Sequence, residues 1–111
     1  MAGLASFKDW CIDANDVPLI AGFWAEVLGL HNEPLPDGDA KLTGDGIVIW
    51  INKVPEPKTA KNRVHIDVDL QDDSPSPLVE AGATVTADPS DGRKWWVMAD
   101  PEGNEFCAFP T

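Results

Sequence analysis

Each half of the chain closes with a glycine turn that leads into a short apolar strand. In the first half this stretch is residues 44–50, GDGIVIW, and in the second it is residues 100–107, DPEGNEFC. The matching segments upstream are residues 23–29 and 76–82, each a helix that stops at glycine, and residues 10–13 and 64–67, each a strand. This repetition predicts two copies of one β-α-β-β-β module, and two such modules can leave a cavity between them.

Local patterns place the helices and strands within each module. Helix one is predicted from the N-cap Asp16 to the terminating Gly29, with Pro18 in its first turn. Helix two is predicted over residues 72–81. The strands are predicted at residues 7–13, 31–35, 40–43, 47–52, 63–70, 83–87, 95–99 and 104–109. The order is that of an α+β fold, in which two βαβββ modules form a curved mixed sheet around a central cavity and the helices lie outside.

The length of 111 residues predicts a single domain, and 43% hydrophobic residues are enough for a packed core. Module one is expected over about residues 5–53 and module two over about residues 62–111. The connector between them, residues 54–61 (VPEPKTAK), is rich in proline and charge, as linkers commonly are.

Composition excludes several classes of partner. The net charge of −11 opposes binding to nucleic acid, which needs basic residues to displace counterions. The longest apolar runs, such as residues 47–51, are too short to cross a membrane, and the N-terminus lacks a secretory pattern. We therefore expect a cytoplasmic protein. Cys11 and Cys107 lie in apolar strands, which predicts two buried free thiols.

Strand alternation gathers polar side chains on one concave face, because successive side chains point to opposite sides of a sheet. In strand five, Val64, Ile66 and Val68 should pack on a helix, while the intervening residues face the cavity. The predicted cavity face comprises Asp9, Cys11, Asp13, Trp50, Asn52, Arg63, His65, Asp67, Glu105 and Cys107. Ionisable groups beside a large aromatic side chain are typical of a small-molecule pocket, whereas the alternative is that these residues only fill and solvate the sheet.

Four segments spanning nearly the whole chain resemble the vicinal oxygen chelate superfamily of glyoxalases, bleomycin-resistance proteins and extradiol dioxygenases. They are residues 23–29 (FWAEVLG), 54–58 (VPEPK), 62–67 (NRVHID) and 100–107 (DPEGNEFC), in the order of the superfamily. The chain is most similar to its small glyoxalase-like domains. The resemblance implies a homodimer whose modules surround a ligand cavity.

The resemblance also locates the metal ligands of the superfamily, typically His, Glu, His and Glu on strands one, four, five and eight. The matching positions here are Cys11, Trp50, His65 and Cys107, and only His65 keeps its residue type. Trp50 cannot ligate a metal, and both carboxylate positions are lost, which disfavours a hard ion. We therefore expect no metal and no cofactor. A softer zinc site of Cys11, His65 and Cys107 is the alternative.

Three functions stay open. The first is binding of a small planar or cationic molecule, with Cys11, Trp50, Asn52, His65, Asp67, Glu105 and Cys107 as candidate ligand-binding residues. The second is a lyase or isomerase acting on a small carbonyl compound, with His65 as catalytic acid or base and a carboxylate orienting it. The third is a dimerising domain with a vestigial cavity. Because two adjacent strand residues point to opposite faces, one of Trp95 and Trp96 should meet the core.

Overall fold

The computed structural model describes residues 3–111. These divide between residues 55 and 56 into two compact units, named here module one and module two. Module one contains β1 (Trp10–Ala14), α1 (Val17–Leu28), β2 (His31–Pro34), β3 (Ala40–Gly44) and β4 (Ile47–Lys53). Module two contains β5 (Ile66–Asp69), α2 (Ser76–Ala81), β6 (Thr84–Ala87), β7 (Trp96–Ala99) and β8 (Glu105–Phe109). The α+β class and the repeated βαβββ order are confirmed. Neither helix is of the length and apolarity that a membrane span requires, among residues 3–111.

The sheet of module one has the strand order β1-β4-β3-β2, with β1 parallel to β4 and the other pairs antiparallel. One face of this sheet packs against α1. The largest buried side chains there are Trp24 and Ile20 from the helix and Leu42 and Ile51 from the sheet, each at most 1% exposed. Burying a side chain of this size stabilises a fold by about 1.5–3 kcal/mol, so this layer anchors module one.

Helix α1 begins and ends where the sequence predicts. The Asp16 carboxylate accepts a hydrogen bond from the amide of Leu19 at 3.2 Å, which satisfies one of the free amides of the first turn. Gly29 takes a left-handed conformation with φ of 67°. The following amide, of Leu30, then donates to the carbonyl of Ala25 at 2.9 Å, and this bond closes the helix.

Module two repeats the arrangement with the order β5-β8-β7-β6, but its helix is much shorter. Phe106, Met98 and Ala108 are at most 1% exposed and form the centre of its core. The predicted helix over residues 72–81 is observed only as Ser76–Ala81, and none of its residues is buried. Pro75 accounts for the late start, because a proline disfavours helical backbone at the residue before it, which is Ser74.

Strands β1 and β5 both begin three residues later than predicted. For β5 the strand pairing explains the late start. The register that pairs Ile66 with Phe106 would align Arg63 with Gly103, which lies in a turn closed by its own amide on the Asp100 carbonyl at 2.9 Å. No partner strand is therefore available before β8 begins. Val64 was predicted to pack on a helix, and this is wrong, since Val64 is 66% exposed.

Candidate functional site

Three candidate residues of module two lie together on the sheet face opposite its core. Asp67 on β5 pairs in register with Cys107 on β8, and His65 immediately precedes β5. One donor atom from each residue lies within 4.8 Å of the other two. The His65 Nδ1 and Asp67 Oδ1 atoms are 3.6 Å apart, and these side chains are 43% and 58% exposed. The cluster is thus open to solvent and to small molecules.

The charge that acts on Cys107 comes from Asp67 and from two cations, Arg93 and Lys61. Burial is the main cause that raises the pKa of the Cys107 thiol above its ordinary value, and the negative charge of Asp67 raises it further. A hydrogen bond from the Trp95 side chain and the charges of Arg93 and Lys61 oppose this rise. The balance keeps Cys107 protonated at neutral pH, so Cys107 is a poor nucleophile.

An aromatic pair borders the same cluster. Residues 105, 107 and 109 alternate to one face of β8, and the ring of Phe109 stacks on Trp95 with centroids 5.1 Å apart and planes inclined by 28°. Trp96 pairs in register with the buried Ala108, on the core face. The two tryptophans therefore point to opposite faces, as predicted, and Trp95 is the one beside Cys107.

Glu105, a predicted ligand-binding residue, binds two groups of the segment before His65. One carboxylate oxygen forms a salt bridge with Lys58 Nζ at 3.0 Å, and the other accepts the Asn62 amide at 3.0 Å. The bond from the Asn62 backbone is the largest of the effects that lower the pKa of Glu105 to about 2, and Lys58 lowers it further. Because both oxygens bind the segment just before His65, Glu105 fastens that segment to β8.

The Asp-Pro-Glu-Gly-Asn turn strengthens the same attachment. The buried carboxylate of Asp100 accepts the amides of Glu102 and Asn104 at 3.0 and 2.9 Å and the Asn104 side-chain amide at 2.8 Å. The side-chain oxygen Oδ1 of Asn104 in turn accepts a hydrogen bond from the Asn62 side-chain amide at 3.1 Å. The motif that marks the end of the second half in sequence thus holds the chain leading to His65. The sequence of this turn did not predict that it would hold the segment before His65.

Module one carries its own polar face around Trp50. The Trp50 indole donates to Asp9 Oδ2 at 2.7 Å, and Lys41 Nζ lies 5.1 Å from the centre of its ring. Cys11 is the register neighbour of Trp50, and Asn52 pairs with Asp13 one step further along β1 and β4. The contact with Lys41, which the sequence did not predict, shows that the ring face attracts a cation.

The structure tests the predictions for the two cysteines and for the four superfamily metal positions. Both thiols are free, as predicted, but the prediction that both are buried is wrong, because Cys11 is exposed and Cys107 is half-buried. A metal ligand needs a free lone pair, and the Trp50 indole nitrogen is a donor bonded to Asp9. The superfamily's four-ligand set does not fit this chain. Within residues 3–111, the cluster that could hold an ion is His65, Asp67 and Cys107.

Two repeated βαβββ modules are the architecture of the vicinal oxygen chelate superfamily. The sequence model of the Glyoxalase-like domain matches residues 9–109, so the chain belongs to the glyoxalase-like family of that superfamily. No curated protein matches the sequence significantly.

Solved structures of low sequence identity share the fold. A hypothetical protein from S. aureus, SA1046, is 19% identical with a TM-score of 0.70, covering 98% of this chain and 100% of that one. The fosfomycin resistance protein FosX from Mesorhizobium loti is 14% identical with a TM-score of 0.72, covering 96% and 92%. The bleomycin-binding protein from Streptomyces verticillus, in complex with copper(II)-bleomycin, is 19% identical with a TM-score of 0.58, covering 97% and 99%.

Proposed function

We propose that this protein binds a small, planar organic molecule on the polar face of module two. The observation that carries the proposal is the stacked pair of Trp95 and Phe109 beside the exposed His65–Asp67 pair. An aromatic surface next to a few polar groups is the usual composition of a ligand site, since the first supplies contact area and the second fixes orientation. Contacts of this kind need no ion at the four superfamily positions.

A positive charge on the ligand is favoured by the groups nearest the aromatic pair. Asp67 is 58% exposed, and its negative charge acts on Cys107 more strongly than the opposing positive charges of Arg93 and Lys61. The guanidinium of Arg93 is engaged by the carbonyls of Asp88 at 2.7 Å and Trp95 at 3.3 Å, which hold it in the loop before β7. The net charge of −11 adds a long-range attraction for cations. A planar cation therefore matches the site better than an anion.

A second candidate function is proton transfer on a small carbonyl compound, as in a lyase or isomerase. The observation that favours it is the 3.6 Å separation of His65 Nδ1 from Asp67 Oδ1, because a carboxylate beside an imidazole orients it as an acid or base. Exchange of protons for deuterons from solvent at carbons next to a carbonyl tests this candidate. A panel of aldehydes and ketones that shows no exchange above the His65→Gln variant would eliminate it.

Thermal-shift measurement tests the binding proposal. The panel contains cationic, neutral and anionic planar compounds of matched size, because a ligand specific for the native state raises the melting temperature. We expect the cationic members to give the largest shifts. Asp67→Asn should reduce those shifts, and Asp88→Asn, an exposed control on the loop after β6, should not. Equal melting-temperature shifts in both variants, or no shift with any compound, would contradict the proposal. The hypothesis of a domain with a vestigial cavity would then remain.

A further inference from the structure

We propose that His65, Asp67 and Cys107 form a three-ligand site for a zinc-type divalent cation within module two alone. This set differs from the four superfamily positions, because Asp67 takes part while Trp50 and Cys11 do not. The proposal goes beyond the proposed function and does not rest on it, since the three donors need no organic molecule to hold the ion. Because both use Asp67, the ion and a planar cation should compete.

The strand register brings the three donors together. Asp67 and Cys107 are register partners on adjacent parallel strands, and His65 is two residues before Asp67 on the same side of the chain. The 3.6 Å between His65 Nδ1 and Asp67 Oδ1 is close to the separation of about 3.4 Å that two ligands have on a tetrahedral ion with bonds of about 2.1 Å.

Only a small adjustment is needed to complete this geometry. The donor atoms of all three residues already lie within 4.8 Å of one another. The two side chains that must rotate, His65 and Asp67, are 43% and 58% exposed, so solvent rather than packed atoms surrounds much of their surface. Cys107 on the central strand β8 is half-buried and stays in place.

The donor set selects the ion. A thiolate and an imidazole favour zinc or cobalt, whereas magnesium and calcium require oxygen ligands throughout. On binding, the cation would displace the thiol proton of Cys107 to solvent. Asp67 and the resulting thiolate would then bring two negative charges to one cation, which offsets the repulsion between them. Three protein ligands leave one coordination position for water or another molecule, as in catalytic zinc sites.

The hydrogen bonds that hold the segment before His65 against β8 also support this metal site. Glu105 holds Lys58 and Asn62 at 3.0 Å, and these bonds limit the freedom of the chain that carries His65. A pre-ordered ligand loses less conformational entropy on binding, so this attachment raises affinity.

Cobalt(II) is the probe for the thiolate ligand. Added to the metal-free wild-type chain, it should produce a thiolate-to-cobalt charge-transfer band in the near ultraviolet. Cys107→Ser should abolish that band, and Cys11→Ser should retain it. A wild-type protein without the band, or a band that depends on Cys11 instead of Cys107, would overturn the proposal.

Zinc affinity, measured by competition with a chromophoric chelator, tests the other two ligands. Loss of a residue that only supports a ligand lowers metal affinity about 10–100-fold, so His65→Ala and Asp67→Asn should each lower it at least about tenfold. Asp69→Asn is the matched control, since Asp69 is the next residue on the same face of β5. Equal losses in Asp67→Asn and Asp69→Asn would show general charge attraction and contradict the site.

A measurement on the unmodified chain makes the test independent of variant folding. Zinc should protect Cys107 from alkylation, read by mass spectrometry, while the exposed Cys11 reacts at an unchanged rate. Equal protection of both thiols, or of neither, would overturn the proposal. Binding of an organic ligand in the presence of a chelator reports separately on the proposed function.

Discussion

At the scale of single residues, strand alternation predicts the face on which Glu105 lies but does not predict which groups it binds. Alternation placed Glu105 on the same face of β8 as Cys107 and Phe109, and that placement is confirmed. Its partners come from outside the strand, because Lys58 and Asn62 belong to the segment after the module boundary. Such contacts depend on how a connector folds back on a sheet, and no local pattern records this.

Replacement of Glu105 by glutamine should lower stability in a pH-dependent way. The pKa of Glu105 is lowered to about 2, from an ordinary value of 4.5, so its carboxylate stabilises the native state above pH 4.5 and this contribution is lost between pH 4.5 and 2. We expect E105Q to cost about 1–2 kcal/mol at pH 7 and little at pH 2. Urea unfolding at both pH values measures the difference, with the exposed Glu80→Gln as control.

The two thiols should differ in reactivity. Cys11 is exposed, whereas Cys107 is half-buried and its pKa is raised. The Cys107 sulfur is therefore less accessible, and a smaller fraction of it is present as the reactive thiolate. Iodoacetamide at neutral pH should modify Cys11 first, and mass spectrometry of digested samples over time would show the order. Faster modification of Cys107 would contradict the described burial and charge of its surroundings.

At the scale of elements, the sequence predicts every helix and strand but misplaces several starts. The complete signals of α1, an N-cap aspartate and a terminal glycine, fix both ends. The predicted starts of β1 and β5 are both wrong. For β5 the reason is that a strand begins only where a partner is available, and β8 begins at Glu105. Apolar residues outside that pairing, such as Val64, are left exposed.

Two alanine substitutions at the glycines of α1 should change stability in opposite directions. Gly29 has φ of 67° and open space around it, so Gly29→Ala should cost about 1–2 kcal/mol from backbone strain alone. Gly22 lies inside the helix, also with open space, and Gly22→Ala should add about 0.5–1 kcal/mol. Thermal unfolding of both variants measures the two changes in stability. Changes in the same direction would contradict the role of Gly29 as the helix cap.

At the scale of the whole molecule, the net charge of −11 should govern ligand choice at a distance. A cationic compound should bind more tightly than a neutral one of the same shape, because the field of the protein attracts it. Raising the salt from 0.1 M to 1 M shortens the screening length from about 10 Å to about 3 Å, so the preference should narrow. Calorimetric titration at both salt concentrations measures this, and a preference unaffected by salt would indicate only direct contacts.

In the candidate site, the sequence predicted which residues share a face but not every contact between them. His65, Asp67 and Cys107 were predicted on one face from strand alternation alone, and the register pairs Asp67 with Cys107. Trp95 immediately precedes β7 and Phe109 ends the consecutive strand β8, and the antiparallel register that pairs Trp96 with Ala108 brings their rings together. Strand alternation alone does not give that register, so the stacking was not predicted. The shared cavity, the homodimer and the cytoplasmic location stay predictions.

Nuclear magnetic resonance titration of the isotope-labelled protein tests the central claim, that module two binds a planar cation beside His65 and Asp67. With the best cationic compound of the thermal-shift panel, we predict that shift changes concentrate in Ile66–Asp69, Glu105–Phe109 and the Trp95 indole. Helix α2, which has no buried residue, should stay unchanged. Changes confined to other parts of the chain, or spread evenly over it, would contradict the claim.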